Sequence, residues 1–365
     1  MSNNIIVHVS EVDISLETGM GRVEFYWKSA FEKQGFTFIH IGPREIGHIR
    51  HKALFPYMAY RFYKKLNIIP KAFIIHEPAS GYFVNKGIPC FVESHGVESR
   101  YWKAQLKGEI PVLKSEKVSY KTKLFFPVWR LLGCIRGLKN ADKLLLINNE
   151  DKEFVKQNYH RSDDDIMIFR NGVNLSNNLV LNNQKKFTIL FNGQWLARKG
   201  IYTLVKAAEI LQNDNFIISY LLIGTGKSKD SILTDWPESL WPSVEVQSSF
   251  EAKNELDYLQ ASSLYILPSF FEGQPLSLLQ AMAAGKCCIT TNCCGQKDIV
   301  TNGKTGFLFT AGDIYSLVDL IKKCYHNKTL RIEIGNNAKQ YAASLNWELV
   351  SKKVADYVVQ NIKCN

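Results

Sequence analysis

Short apolar runs alternate with helical periodicity along this chain. Ile5 to Ser10, Phe36 to Gly42, Ala72 to His76, Cys90 to Ser94, Lys143 to Ile147 and Ile166 to Phe169 are apolar and β-rich. Runs of this kind, without a polar residue at every second position, are expected of parallel strands covered on both faces. Helical spacing fills the intervals, most clearly from Arg22 to Gln34, where Gly35 supplies a stop. From Asn177 to Lys186 the chain is polar and loses its periodicity, which predicts a linker and a domain boundary. A second alternation opens with Phe187 to Phe191. Its first helix, Ile201 to Gln212, sets Ile201, Leu204, Val205, Ala208 and Leu211 on one stripe. Strands are expected at Ile217 to Ile223, Val244 to Gln247, Leu264 to Leu267 and Cys287 to Thr291, and Asp313 to Lys363 reads as helical. The pattern predicts two successive α/β units, each on a parallel sheet.

Composition agrees with that organisation. The chain has 365 residues, 46% of them hydrophobic and 22% charged, which excludes disordered, collagenous and disulfide-scaffold classes. Met1 to Asn4 lead directly into a strand without a basic, apolar leader, so a cytoplasmic location is expected. The longest apolar runs, such as Phe216 to Gly224, are too short to span a bilayer. Eight cysteines raise the question of metal. Cys287-Cys288 and Cys293-Cys294 flank a strand whose adjacent residues point to opposite faces, which makes a four-sulfur cage awkward, and buried reduced thiols are expected.

The net charge of +11 is concentrated. Between residues 100 and 143, Arg100, Lys103, Lys107, Lys114, Lys117, Lys121, Lys123, Arg130, Arg136, Lys139 and Lys143 are opposed only by Glu109, Glu116 and Asp142. Aromatic residues Tyr101, Trp102, Tyr120, Phe125, Phe126 and Trp129 are interleaved with them. Two readings stay open, a solvated helix face with its aromatics in the core and a surface attracted to anionic membrane. Nucleic acid is not expected as a partner, because no recognition module accompanies the charge.

Loops at the C-terminal ends of parallel strands are where such folds bind ligands. Four stand out. Gly19-Met20-Gly21 introduces the first helix, either as a plain turn or as a close approach of backbone to phosphate. Gly193 to Gly200 carries Arg198 and Lys199 at a helix start, where the dipole already favours an anion, although a solvated basic turn would read the same way. Leu267 to Gly285 runs from a strand end through Glu272 into a short helix whose Leu276 and Ser277 amides would meet an anion. There Glu272 is placed to accept from polyol hydroxyls, and Gln280 has the small neighbours Ser277, Ala281 and Ala284. Glu93-Ser94-His95-Gly96 ends a strand with a histidine that is either structural or functional.

The block from Ser269 to Gly306 resembles the donor-site signature of glycosyltransferase family 4, retaining enzymes of the GT-B fold. It has Pro268-Ser269, Glu272-Gly273-Gln274-Pro275, a polar residue eight positions after Glu272, then Ala281-Met282-Ala283-Ala284-Gly285. Arg198-Lys199-Gly200, Gly224-Thr225-Gly226, Arg170-Asn171-Gly172-Val173-Asn174, Asn302-Gly303-Lys304-Thr305-Gly306 and Trp347 are similar to further family turns, so matches run from about residue 141 to 350. The resemblance implies an α/β GT-B fold of two Rossmann-like domains facing across a cleft. Residues 1–176 would bind the acceptor, 186–345 the nucleotide sugar, and 346–365 would form a helix packing back on the N-terminal domain.

It implies a retaining, metal-independent transfer from a nucleotide diphosphate sugar, UDP-sugar favoured, to a hydroxyl of a glycan or lipid-linked precursor in surface-polysaccharide or lipopolysaccharide synthesis, at the inner membrane face. The donor is a substrate, and no cofactor is implied. By resemblance, Glu272 and His95 are catalytic, Gly273 and Gln274 line the sugar, Arg198, Lys199 and the Leu276 and Ser277 amides hold the diphosphate, Gln280 meets the ribose, and Gly19 and Gly21 contribute from the N-terminal domain. Three positions depart from the family: Gln280 where it has an acid, Gln194 where it has an arginine, and Cys294 where it has glycine. A non-catalytic GT-B scaffold subunit and a GT-B epimerase are the alternative readings.

Overall fold

The computed structural model describes residues 4–112, 119–174 and 186–363, and divides into two compact units. The predicted polar stretch lies outside the described residues except for Lys186, as do Lys114, Lys117 and Cys364.

The first unit takes in residues 1–106, 117–172 and 347–365. Its strands are β1 (Ile5–Val9), β2 (Thr37–Ile41), β3 (Ala72–His76), β4 (Cys90–Ser94), β5 (Lys143–Leu146) and β6 (Ile166–Ile168), all parallel in the order β2-β1-β3-β4-β5-β6. Val7 pairs with Ile39 on one side and Phe73 on the other. Val7, Phe73, Ile75, Val92, Leu144 and Leu146 are buried beneath Phe55, Tyr63, Phe83 and Leu138. The first helix, α1 (Gly19–Lys33), begins three residues before the periodicity suggests. Thr18 is the reason: its hydroxyl accepts from the Gly21 amide at 3.2 Å, so the glycine pair forms the first helical turn. The C-terminal helix Trp347–Lys363 packs on α1, with the Trp347 ring stacked on Tyr26 at 4.7 Å and Gln34 donating to Asp356 at 2.7 Å.

The second unit takes in residues 107–116 and 173–346. Strands β7 (Phe187–Asn192), β8 (Ile218–Ile223), β9 (Val244–Gln247), β10 (Leu264–Leu267), β11 (Cys288–Thr291) and β12 (Phe307–Phe309) form a parallel sheet in the order β12-β11-β10-β7-β8-β9. The stripe predicted on the helix Ile201–Asn213 is buried along its length. Strand β12 escaped the sequence reading, because three residues are too few to show a period. The helical C-terminal third is three helices, Ile314–His326, Lys328–Ala343 and Trp347–Lys363; Asn327 ends the first and caps the second by accepting from the Leu330 amide at 2.8 Å. The seven described cysteines are free thiols, all buried except the half-buried Cys293. Two Rossmann-like parallel-sheet units make this an α/β protein of the expected class.

Candidate active site

In the second unit the site grows from two strand ends. After β7, the Trp195 ring is fully buried and donates to Asp235 at 2.8 Å, fixing the course of the chain into the turn Ala197–Lys199. Gly200 follows at φ +74°, and a side chain there would meet the Pro268 carbonyl at 1.9 Å. Only glycine lets this turn sit against the end of β10. The Phe270 amide then donates to the Arg198 carbonyl at 2.8 Å, tying the two loops together.

That junction brings Lys199 Nζ to 2.6 Å and Arg198 Nη1 to 3.7 Å from Glu272 Oε1. Burial on its own would raise the Glu272 carboxyl, but Lys199 and Arg198 outweigh it and hold the group below its ordinary value, so it is ionised at neutral pH. The result is a buried carboxylate flanked by two cations, one of them with a third of its side chain exposed.

Directly after this cluster comes the helix Leu276–Ala283, capped by Pro275, which has no side-chain hydrogen bond to offer. The first-turn amides therefore have no partner within the helix and carry the positive end of its dipole. Leu278, Leu279, Ala281 and Met282 are all buried, so the helix is covered on more than one face. Ser277 and Gln280 are half-buried, and the Ser277 hydroxyl is held by Tyr265 at 2.9 Å. Gly273 and Gln274 lie in the loop between Glu272 and Pro275. A side chain on Gly295 would reach the Gly273 carbonyl at 1.9 Å, so the helix Cys294–Ile299 also abuts that loop. Cys294 stands where the resemblance expects glycine, and it adopts the left-handed φ of +51° that glycine favours. The backbone course is kept despite the side chain.

Gly19, Gly21 and His95 lie in the first unit. The Gly21 amide is used by Thr18, and a side chain at Gly21 would meet Thr18 Oγ1 at 2.5 Å and the Asp13 carbonyl at 2.7 Å, so close packing accounts for this glycine. His95 follows β4 directly and lines a cavity of about 670 Å³ together with Met20, His76, Glu77, Glu98 and Arg130. Burial pushes His95 down to about 4 and His76 to about 3, so both rings are neutral. His95 Nε2 and His76 Nδ1 are buried without a hydrogen-bond partner among the described residues. Arg130 spans Glu11 and Glu98 at 2.7 Å each. Glu77 is pushed up to about 8 by burial and the nearby Glu98.

Behind this cavity is a charged network that pattern reading missed. His40 Nε2 faces the Val12 carbonyl at 3.1 Å and must donate to it, which leaves His40 Nδ1 to accept from His8 Nδ1 at 2.8 Å. His8 Nε2 lies 2.7 Å from Glu24 Oε2 and 3.2 Å from Glu93 Oε1. His8 thus carries both ring protons. Burial lowers its pKa, but Glu24 and Glu93 overcome this and raise it to about 10. His40 is held neutral at about 4 by burial and by the His8 charge. The signal was present in the sequence as Glu24 set among Val23, Trp27 and Phe31 on the buried side of α1.

Known proteins bear on this geometry. Residues 177–341 match the family model "Glycosyl transferases group 1". The chain is 26% identical over 167 residues to the capsular polysaccharide biosynthesis glycosyltransferase CapM of Staphylococcus aureus, covering 44% of each protein. It is 23% identical over 291 residues to the UDP-Gal:alpha-D-GlcNAc-diphosphoundecaprenol alpha-1,3-galactosyltransferase of Escherichia coli, covering 76% of this chain and 70% of that protein. The chain thus spans less than half of the first relative's length. Among solved structures, sucrose-phosphate synthase of Thermosynechococcus elongatus aligns with a TM-score of 0.80 at 16% identity, over 99% of this chain and 100% of that one. HepE of Anabaena in complex with UDP-glucose aligns with a TM-score of 0.68 at 14% identity, over 98% and 99%. The likeness in structure establishes the two-domain GT-B fold, and with the family match over 177–341 it supports a glycosyltransferase of that fold.

Proposed function

We propose that this protein transfers a sugar from a nucleotide diphosphate sugar, preferentially a UDP-sugar, to a hydroxyl of a glycan or lipid-linked precursor in surface-polysaccharide synthesis, with retention of configuration and without a metal. The observation that carries the proposal is the Arg198–Lys199–Glu272 cluster set directly before the first turn of the helix Leu276–Ala283. Lys199, Arg198 and the Leu276 and Ser277 amides would receive the diphosphate, and Glu272 would accept from sugar hydroxyls. The bond from the anomeric carbon to the diphosphate oxygen breaks with its electron pair on the diphosphate. The acceptor oxygen bonds to that carbon and its proton passes to the departing diphosphate. Cations fixed where negative charge accumulates favour that step more than they favour the bound donor. In this reading Gln280 accepts from a ribose hydroxyl with a neutral amide. The E. coli relative's name, with its UDP-Gal donor and diphosphoundecaprenol acceptor, supports both the donor class and the acceptor class.

The test is thermal stabilisation of the purified protein by UDP, GDP and their sugar conjugates, beside Lys199→Ala and Glu272→Ala. Selective stabilisation by one nucleotide that Lys199→Ala abolishes is the expected result. If no nucleotide shifts the transition, the departures at Gln194, Gln280 and Cys294 mark a site without a donor, and the scaffold reading takes its place.

A further inference from the structure

Residues 119–141 hold no carboxylate. They form one helical run, Tyr120–Phe126, a wide turn over Pro127–Leu131 and Leu132–Asn140. Proline brings no amide hydrogen to the ladder, and a turn with more than 3.6 residues keeps positions four apart closer to one line. On that line stand Tyr120, Leu124, Val128 and Leu132, exposed by 81%, 58%, 62% and 59%, with Phe125 beside them at 56%. A single exposed apolar residue needs no explanation, whereas five along one helix do. The next position four on is the exposed Arg136, and Lys121 and Lys123 are exposed at the other end.

Other members of the basic and aromatic stretch are spent inside the fold. Arg100 pairs with Glu150 and Asp151, and Arg130 with Glu11 and Glu98. Trp102 stacks on Phe126 at 4.6 Å, and Trp129 meets His51 at 5.4 Å. The segment thus has two sides: an inner face that packs, and an outer face that has nothing to pack against among the described residues.

We infer that this outer face docks on an anionic lipid bilayer. An apolar ridge about 18 Å long, the twelve steps of ~1.5 Å from Tyr120 to Leu132, is the shape that lies in the plane of the headgroup region, and Lys121, Lys123 and Arg136 meet the lipid phosphates. A protein partner would have to offer an apolar groove bordered by acids, whereas a bilayer offers both features without further design. The inference stands apart from the transfer reading, although a surface-bound enzyme would suit a lipid-linked acceptor.

The experiment is co-sedimentation of the full chain with mixed phosphatidylglycerol and phosphatidylcholine vesicles and with phosphatidylcholine vesicles alone. Binding to the anionic vesicles only is expected, and Leu124→Glu/Val128→Glu should weaken it about tenfold or more. Both positions are solvent-facing, so the variant should keep its melting temperature; Leu124→Ser/Val128→Ser, which leaves the charge unchanged, carries the same test should the glutamates disturb folding. Equal binding to neutral vesicles, sedimentation of both variants like the parent, or a parent dimer that either variant dissociates in light scattering would each overturn the inference. Nucleotide-induced stabilisation should survive in both variants, so loss of docking and failure of the donor site are read separately.

Discussion

At the scale of single residues, two buried charges decide most. Lys199 and Arg198 keep Glu272 ionised in a buried position, so Lys199→Ala leaves a carboxylate with one cation, 3.7 Å away. Losing one partner of a buried pair costs about 3 to 5 kcal/mol, an upper range here because Arg198 stays and is partly exposed. Urea unfolding should show a loss towards the lower end, and Glu272→Gln added to Lys199→Ala should return much of it while nucleotide binding stays lost. His8 is the parallel case in the first unit. His8→Leu strands Glu24, whose carboxyl burial would raise but which His8 holds at about 2. A loss of about 3 to 5 kcal/mol is expected, and His8→Leu/Glu24→Leu should recover at least half of it in a double-mutant cycle. Additive losses in that cycle would refute the pairing.

At the scale of elements, what was legible in the sequence follows from where each signal resides. Strands β1 and β3 to β5 show in the chain because parallel strands buried on both faces are largely apolar, and the helix Ile201–Asn213 shows because it buries one stripe. The start of α1 was misplaced because a side-chain cap, Thr18, decides it, and β12 because a short edge strand carries no period. The Arg198, Lys199 and Glu272 loops were legible as motifs, but their contact was not, since it depends on which strands are neighbours: β7 and β10 lie side by side although more than 70 residues separate their pairing partners Ile189 and Leu264. The element that closes this contact is the turn at Gly200. Gly200→Ala puts a side chain at φ +74° and into the Pro268 carbonyl, so the turn must move and take Lys199 with it. Gly35, at φ +81°, has open space around it. Gly35→Ala should cost about 1 kcal/mol, the left-handed penalty alone, and leave nucleotide stabilisation intact. Gly200→Ala should cost more than twice that and abolish it. Equal effects of the two in thermal unfolding would mean that contact with Pro268 does not fix the turn.

At the scale of the whole molecule, the two units should differ in how their stability depends on pH. His40, His76 and His95 are held neutral at about 4, 3 and 4, against 6.5 in the unfolded chain. Below pH 6.5 the unfolded chain binds these protons first, so stability is lost as pH falls towards those values. His8 at about 10, Glu77 at about 8 and Glu93 at about 7 are shifted upward. Their contributions are complete below the unfolded values of 6.5 for the histidine and 4.5 for the carboxyls, and are lost as pH rises through the folded ones. Between pH 4.5 and 6.5 three histidines oppose two carboxyls, and above 6.5 only the upward-shifted groups titrate, each worth about 1.4 kcal/mol per pH unit. All six lie in the first unit, which should therefore be most stable near pH 6.5, with a gentle acid flank and a steeper alkaline one. In the second unit Glu272 is shifted below 4.5, and Lys286, lowered to about 8 by burial, loses stability only as pH falls from 10.5 to that value. Neither changes its charge balance by more than a fraction of a proton between pH 5 and 8, Lys286 only at the upper end. Scanning calorimetry across that range should show one transition that moves with pH and one that stays. A fixed first-unit transition, or one that rises steadily to pH 8, would mean that the upward shifts assigned to His8, Glu77 and Glu93 are absent.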